Sequence, residues 1–197
     1  MDQVRLRLLR EWPQRPLLTE RKGAGPVREA AVLVPLFVRD RELFTLFTRR
    51  SDTVEHHKGQ ISFPGGVKEP SDPDLWATAL REVEEEVGIP RAAVRLLGAL
   101  PKLVTVTDFE VSPFVGAIPY PLELTPHRAE VEQVFQIPIS YLLDPRVVEE
   151  RPVRWKGREV QTLVYHYSGH AIWGATAHIL GDLLSALSSS APSGPDA

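Results

Sequence analysis

Acidic side chains are concentrated in one short segment, Arg81-Glu82-Val83-Glu84-Glu85-Glu86-Val87-Gly88. Hydrophobic residues in 73–87 recur at helical spacing, which predicts an amphipathic helix over this range. On a helix Glu82 lies three residues before Glu85 and four before Glu86, so the three carboxylates share one edge. Like charges at this spacing repel each other unless a cation neutralises them. Because Mg²⁺ takes hard oxygen ligands and bridges to phosphate, the segment predicts a magnesium site, with a solvated acidic helix face as the alternative.

A pair of glycines precedes this helix in Phe63-Pro64-Gly65-Gly66. Two adjacent glycines let the backbone come close to a phosphate or to the acidic edge of the helix, although the pair alone indicates only a turn. The helix is expected to start with Asp72 as its N-cap and Pro73 in its first turn. Gly88 is expected to end it in a left-handed conformation.

Composition limits the classes of function. The chain has 197 residues, 43% of them hydrophobic and 25% charged, which is typical of one globular domain with extensions. The net charge of −3 gives no general attraction to nucleic acid or to an anionic membrane. Because the chain has no cysteine, a disulfide framework, a thiolate zinc site and a cysteine nucleophile are excluded. No signal peptide or membrane-spanning stretch is recognised, so a cytoplasmic location is the default expectation.

The elements that must position these residues form an α/β fold. Residues 1–29 are expected to be an N-terminal extension that packs on the domain, 30–187 the domain itself, and 188–197 a disordered tail. A short helical turn is predicted at Pro138–Leu143 and a helix at 171–188. β-Rich runs separated by turn residues predict strands at 30–38, 43–49, 60–63, 94–100, 104–108, 113–119 and 160–167. Strands interleaved with helices predict a mixed central sheet covered by helices.

The acidic segment and the glycine loop together resemble the Nudix hydrolase family, whose box reads G-x5-E-x7-R-E-U-x-E-E-x-G-U, with U an aliphatic residue. The matching positions are Gly66, Arg81, Glu82, Val83, Glu85, Glu86, Gly88 and Ile89. Two departures concern Asp72. It replaces the upstream glutamate, and eight rather than seven residues separate it from Arg81, so Asp72 is interpreted as a helix cap. The resemblance implies an α/β/α sandwich that cleaves a diphosphate with Mg²⁺, or with Mn²⁺ as a substitute.

A second resemblance, to the coenzyme A diphosphatase subgroup, covers the stretch before the helix. Its pattern L-L-T-x-R-[SA]-x3-R-x3-G-x3-F-P-G-G is matched by 46–51, Gly59 and 63–66, except that Phe47 replaces a leucine conservatively and Glu55 stands where the pattern has arginine. The resemblance implies hydrolysis of coenzyme A and its derivatives to 4′-phosphopantetheine and adenosine 3′,5′-bisphosphate, with the small-molecule nucleotide as partner.

Roles follow from the residues and from these resemblances. Glu82 and Glu86 are predicted to hold the metal with help from Glu85, and Arg81 to orient the carboxylates. Glu130 stands where Nudix proteins place a loop acid that helps with metal or base chemistry, with a surface glutamate as the alternative. The predicted catalytic residues are thus Glu85, Glu86 and Glu130, and the predicted substrate-binding residues are Arg49, Arg50, His57, Gly65 and Gly66.

Several alternatives remain open at this stage. A Nudix diphosphatase for ADP-ribose, NADH or another nucleoside diphosphate derivative would carry the same box. A nucleotide-binding module that has lost catalysis is disfavoured by the intact acidic residues, and a Nudix-like isoprenoid isomerase is disfavoured because that family uses a cysteine. Arg49, Arg50 and His57 could instead be exposed strand-edge charges. Trp173 is expected in the core rather than as a platform for adenine.

Overall fold

A computed structural model describes residues 27–51, 59–105, 107–155 and 158–188 of the chain. The expected N-terminal extension up to residue 26 and the tail from residue 189 lie outside this description, as does His57. Within the described part, no helix is both long and apolar enough to cross a membrane.

The central sheet is built around strand β1 (Arg28–Arg39), whose interior side chains are almost all buried. β1 runs antiparallel to β2 (Glu42–Arg50) through the turn at Asp40 and Arg41, both of which have positive φ. On its other side β1 runs parallel to β7 (Phe109–Ala117). Because one parallel pair is combined with antiparallel neighbours, the sheet is mixed, as the sequence predicts.

Shorter strands extend this sheet. β3 (Ile61–Ser62) and β8 (Val131–Pro138) pair with β2, and β4 (Gly65–Val67) pairs with β1, all antiparallel. β5 (Arg95–Ala99) and β6 (Leu103–Val104) pair antiparallel with β7. A second, three-stranded sheet has the order β11-β10-β9, with β9 at Val148–Trp155, β10 at Arg158–Tyr167 and β11 at His170–Ile172.

Helices cover both faces of the central sheet, which confirms the predicted fold class. Helix α1 (Leu75–Val87) buries Ala79, Val83 and Val87 against one face, and the two valine side chains each contribute about 1.5–3 kcal/mol of hydrophobic stabilisation. Helix α3 (Gly174–Ser188) and the second sheet cover the opposite face. The remaining helical segments are α2 (Ile139–Leu142) and 3-10 turns at Arg91–Ala93 and Pro145–Val147.

Several expectations about the elements are wrong in detail. The N-cap of α1 is Asp74, whose carboxylate accepts a 2.7 Å hydrogen bond from the Ala77 amide, and not Asp72. The C-terminal end is confirmed, because Gly88 has φ 78° and donates its N–H to the Glu84 carbonyl. α3 starts at Gly174 rather than at residue 171, because the preceding residues pair with β10 as strand β11. Trp173 is 52% exposed and so does not lie in the core.

Candidate active site

The glycine loop brings β4 directly against the acidic edge of α1. A Cβ atom on Gly66 would overlap the Glu82 carboxylate, with only 2.5 Å to its Cδ, so any side chain at this position would displace that carboxylate. Gly65 has a different neighbour, since a Cβ there would lie 2.6 Å from the Cα of Val32 in β1. Gly66 therefore makes room for a candidate metal ligand, whereas Gly65 makes room for the packing of β4 on β1.

Glu86 lies at the centre of the acidic cluster and is only 4% exposed. Its Oε2 accepts a 3.4 Å hydrogen bond from the Thr48 hydroxyl of β2. Burial, together with the negative charges of Glu82 and Glu130, raises the pKa of Glu86 to about 8. The positive charge of Arg50 and the bond from Thr48 act in the opposite direction. The structure thus brings Glu82, Glu86, Glu130 and Arg50 within electrostatic reach of one another.

Arg81 holds the two other carboxylates of the helix edge. Its Nη1 donates to Oε1 of Glu82 at 2.9 Å and to Oε2 of Glu85 at 3.0 Å. Its Nη2 donates to the Val67 carbonyl at 3.0 Å. The carboxylate of Asp72 accepts from Nη2 at 3.0 Å and from Nε at 3.1 Å. The guanidinium is therefore anchored on one side and orients Glu82 and Glu85 on the other, the role predicted for it.

Asp72 has a larger role than its sequence interpretation as a cap. It also accepts hydrogen bonds from the Thr78 hydroxyl and from the Glu69 amide, each at 3.0 Å. The bonds from Arg81 hold the pKa of Asp72 down at about 2, and Asp72 in turn raises the pKa of Arg81. Asp72 therefore forms a buried ion pair with Arg81, whereas Asp74 caps the helix.

The loop before β8 places Glu130 beside the cluster through backbone hydrogen bonds. The amide of His127 donates to the carbonyl of Glu86 at 3.0 Å, and the amide of Ser51 donates to the carbonyl of Glu130 at 2.8 Å. The loop is therefore fastened to the last turn of α1 and to the end of β2. The carboxylate of Glu130 lies 3.4 Å from Nδ1 of His127, and its charge raises the pKa values of Glu82 and Glu86.

The two consecutive arginines at the end of β2 differ in their surroundings. Arg49 forms a 3.1 Å ion pair with Glu132 of β8, whereas the positive charge of Arg50 acts on Glu86 and lowers its pKa. The Nε atoms of both are buried, and neither has a hydrogen-bond partner within the described residues. Among the predicted substrate-binding cations, Arg50 is thus the one that the structure places next to the acidic cluster, and His57 lies outside the described residues.

Sequence reasoning missed Thr48 and His127. Thr48 occupies an inward-facing position of β2, where Phe44 and Leu46 precede it at alternate positions. A polar residue in an otherwise apolar inward row is a signal that could have been noticed. The contact of His127 with α1 depends on the path of a long loop, so the local sequence gives no comparable signal.

The oxygen donors of the cluster fit a divalent cation such as Mg²⁺. Burial raises the pKa of Glu82 as well as that of Glu86, because removal from water disfavours the charged carboxylates and the charges of Arg81 and Arg50 offset this only in part. In the described part of the chain, no three acidic or histidine side chains form a ready-made metal cage. Mg²⁺ suits such a site because it keeps several waters and shares substrate phosphate oxygens.

Comparisons with known proteins agree with this arrangement. The NUDIX domain model matches residues 27–164. The uncharacterized Nudix hydrolase NudL of Photorhabdus laumondii is 42% identical over 156 residues, which cover 79% of this chain and 83% of the relative. NudL of Klebsiella pneumoniae is 38% identical over 179 residues, with 91% and 89% covered. A crystal structure of a NUDIX hydrolase from Alicyclobacillus acidocaldarius shares the fold, with a TM-score of 0.52 at 23% identity over 61% of this chain and 83% of that one. With a domain match over most of its length and relatives of this identity, the chain belongs to the Nudix hydrolase family.

Proposed function

We propose that this Nudix hydrolase cleaves the diphosphate of coenzyme A and its derivatives, releasing 4′-phosphopantetheine and adenosine 3′,5′-bisphosphate. The observation that carries the proposal is the position of Arg50. Its charge lies within electrostatic range of Glu86, and its buried Nε has no hydrogen-bond partner in the part of the chain that the structure describes. An anionic diphosphate approaching three glutamates needs such a cation, and an arginine presents it in a geometry that matches phosphate oxygens.

The acidic residues have different roles in the proposed reaction. Glu82 and Glu86, with Glu85, would hold Mg²⁺ or Mn²⁺, which when bound neutralises diphosphate charge and lowers the pKa of a water. Arg81 keeps Glu82 and Glu85 in place and stays engaged with them rather than with substrate. Glu130, at the edge of the cluster, would have a secondary role in orienting water or a further metal, because metal coordination itself supplies most of the activation of the nucleophile.

The test compares kcat/KM for coenzyme A, dephospho-coenzyme A, ADP-ribose and NADH with purified protein and Mg²⁺, identifying products by mass spectrometry. One arginine–phosphate contact contributes about 1.5–3 kcal/mol, so we expect about a 10- to 100-fold preference for coenzyme A over dephospho-coenzyme A. Arg50→Ala should lower kcat/KM for all four substrates through loss of the diphosphate contact, and a larger loss for coenzyme A, which reduces the preference, is expected where the guanidinium also reaches the 3′-phosphate. Arg146→Ala is the matched control, because Arg146 is exposed and pairs with Asp144 on a distant turn.

Glu55 provides a second arm, although it lies outside the described residues. Glu55→Arg restores the cation of the subgroup pattern and should increase the preference for coenzyme A by removing repulsion of the 3′-phosphate. Equal kcat/KM for coenzyme A and dephospho-coenzyme A, unchanged in both variants, would refute recognition of the 3′-phosphate. A higher kcat/KM for ADP-ribose or NADH would favour a broader Nudix diphosphatase.

A further inference from the structure

Thr48 is a buried polar residue in an apolar row of β2. It is 1% exposed, and its Oγ1 lies 3.4 Å from the carbonyl oxygen of Ser62 and 3.4 Å from Oε2 of Glu86. A hydroxyl has one hydrogen to donate, so it can serve one of these acceptors at a time. The shared distance places the hydroxyl between the backbone of β3 and the carboxylate.

A donor at this place acts directly on the Glu86 carboxylate. A carboxylate removed from water needs hydrogen bonds to remain ionised, and an ionised carboxylate is the form that binds a metal. The amide of His127 is bonded to the main-chain carbonyl of Glu86, so it does not orient the carboxylate. A bond from Thr48 to Oε2 does orient it, because it fixes the rotation of the carboxylate plane.

We propose that Thr48 is a positioning residue whose hydroxyl holds the Glu86 carboxylate in the orientation that binds the divalent cation. This inference rests on the metal site of the proposed function. Residues that orient metal ligands typically change metal affinity by about 10- to 100-fold when they are removed. Because the bond here is long, we place the effect of Thr48 at the lower end of that range.

The same strand offers a matched control. Thr45 is fully buried in β2, and its Oγ1 has no hydrogen-bond partner within the described residues. Thr45→Val therefore removes a buried hydroxyl from the same strand without touching Glu86. Thr48→Val removes the hydroxyl that reaches Glu86 at nearly constant volume, and Thr48→Ser keeps the hydroxyl and removes the methyl group.

The experiment measures Mn²⁺ binding to the full chain by electron paramagnetic resonance in the absence of substrate, followed by metal-activation curves. We expect Thr48→Val to bind Mn²⁺ about tenfold more weakly, which corresponds to about 1.4 kcal/mol. Thr48→Ser and Thr45→Val should bind like the wild type. The metal-activation curve of Thr48→Val should shift to about tenfold higher Mn²⁺ concentration, while those of Thr48→Ser and Thr45→Val should stay at the wild-type position.

Three results would overturn the inference: wild-type affinity in Thr48→Val, equal weakening in Thr45→Val, or no rescue in Thr48→Ser. If Thr48→Val does not fold, Thr48→Ala and Thr45→Ala are compared under the same criteria. Glu86→Gln separates this inference from the proposed function. If Glu86→Gln binds Mn²⁺ like the wild type, the metal site itself is wrong; if it loses affinity while Thr48→Val does not, only the role of Thr48 fails.

Discussion

The contact between Gly66 and Glu82 gives the sharpest prediction, Gly66→Ala. Gly66 does not have a positive φ, so its backbone accepts alanine without strain. The new Cβ would lie 2.5 Å from Cδ of Glu82, whereas two carbon atoms pack at about 3.5–4 Å. The carboxylate must therefore move by about 1 Å or more. A displacement of this size in a catalytic site lowers activity by about 100-fold.

The same substitution should leave the fold almost intact. The obstructed group is the end of a flexible side chain, and its bond to Arg81 is the main interaction at risk. We expect the free energy of unfolding in denaturant to fall by about 1 kcal/mol, the net contribution of one hydrogen bond. Gly65→Ala should behave in the opposite way and destabilise the fold, because its Cβ would meet the backbone of Val32 rather than a movable side chain.

Gly181→Ala in α3 is the control for adding a methyl group. Its Cβ would lie 3.5 Å from Leu163 and 3.6 Å from Tyr165, which is ordinary contact, and the change should stabilise the helix by about 0.5–1 kcal/mol. Steady-state kinetics at saturating Mg²⁺ and urea denaturation measure all three variants. Near-wild-type kcat/KM in a folded Gly66→Ala protein would show that the position of Glu82 does not matter for catalysis.

Three further predictions concern the charged groups. Glu82→Gln and Glu86→Gln should each lower kcat by at least about 100-fold at saturating Mg²⁺. Neither should lower the melting temperature, since each relieves repulsion between the carboxylates of the cluster. Near-native kcat in both variants would contradict the metal site. Asp72→Asn should cost about 3 kcal/mol in urea denaturation because Arg81 loses a buried partner. Folding lowers the pKa of Asp72 from 3.8 to about 2, so ionised Asp72 stabilises the folded protein above pH 4. This contribution to the free energy of unfolding is lost as the pH falls from 4 to 2, and Asp72→Asn should not show the loss. Glu130→Gln should lower kcat less than Glu86→Gln, and pH–rate profiles with the reverse ranking would make Glu130 the principal base.

Strands could be predicted where apolar residues dominate the segment, and they were missed where charged residues interrupt it. β1 and β2 follow from their long apolar runs. β9 was missed because its sequence, VEERPVRW, has no alternation of apolar and polar residues. The start of α3 was misplaced because Ala171 and Ile172 continue a helical pattern, and only their pairing with β10 shows that they form a strand. Local periodicity could not anticipate this tertiary pairing.

The candidate site could also be predicted only in part from the sequence. The helical spacing of Glu82, Glu85 and Glu86 predicts a shared edge, but it does not indicate that the Glu85 side chain is 55% exposed and bonded to Arg81. The proximity of Glu130 to Glu86 depends on backbone bonds from a loop more than 40 positions away. Spacing along one helix is local information, whereas a contact between two elements is fixed only when the whole chain packs.

Asp72 departs from the spacing of the Nudix box, yet it still forms an ion pair with Arg81. Counting residues places it one position too far from Arg81 and favours a role as a cap. In the structure, Asp74 caps α1, so the distance from the helix start to Arg81 is set by helical geometry. Asp72 lies in the non-helical stretch before that cap, where the backbone can absorb one additional residue, and its carboxylate still reaches Nε and Nη2 of Arg81. The ion pair depends on where the carboxylate lies relative to the guanidinium, so a longer spacer with a shorter acidic side chain can supply the same contact.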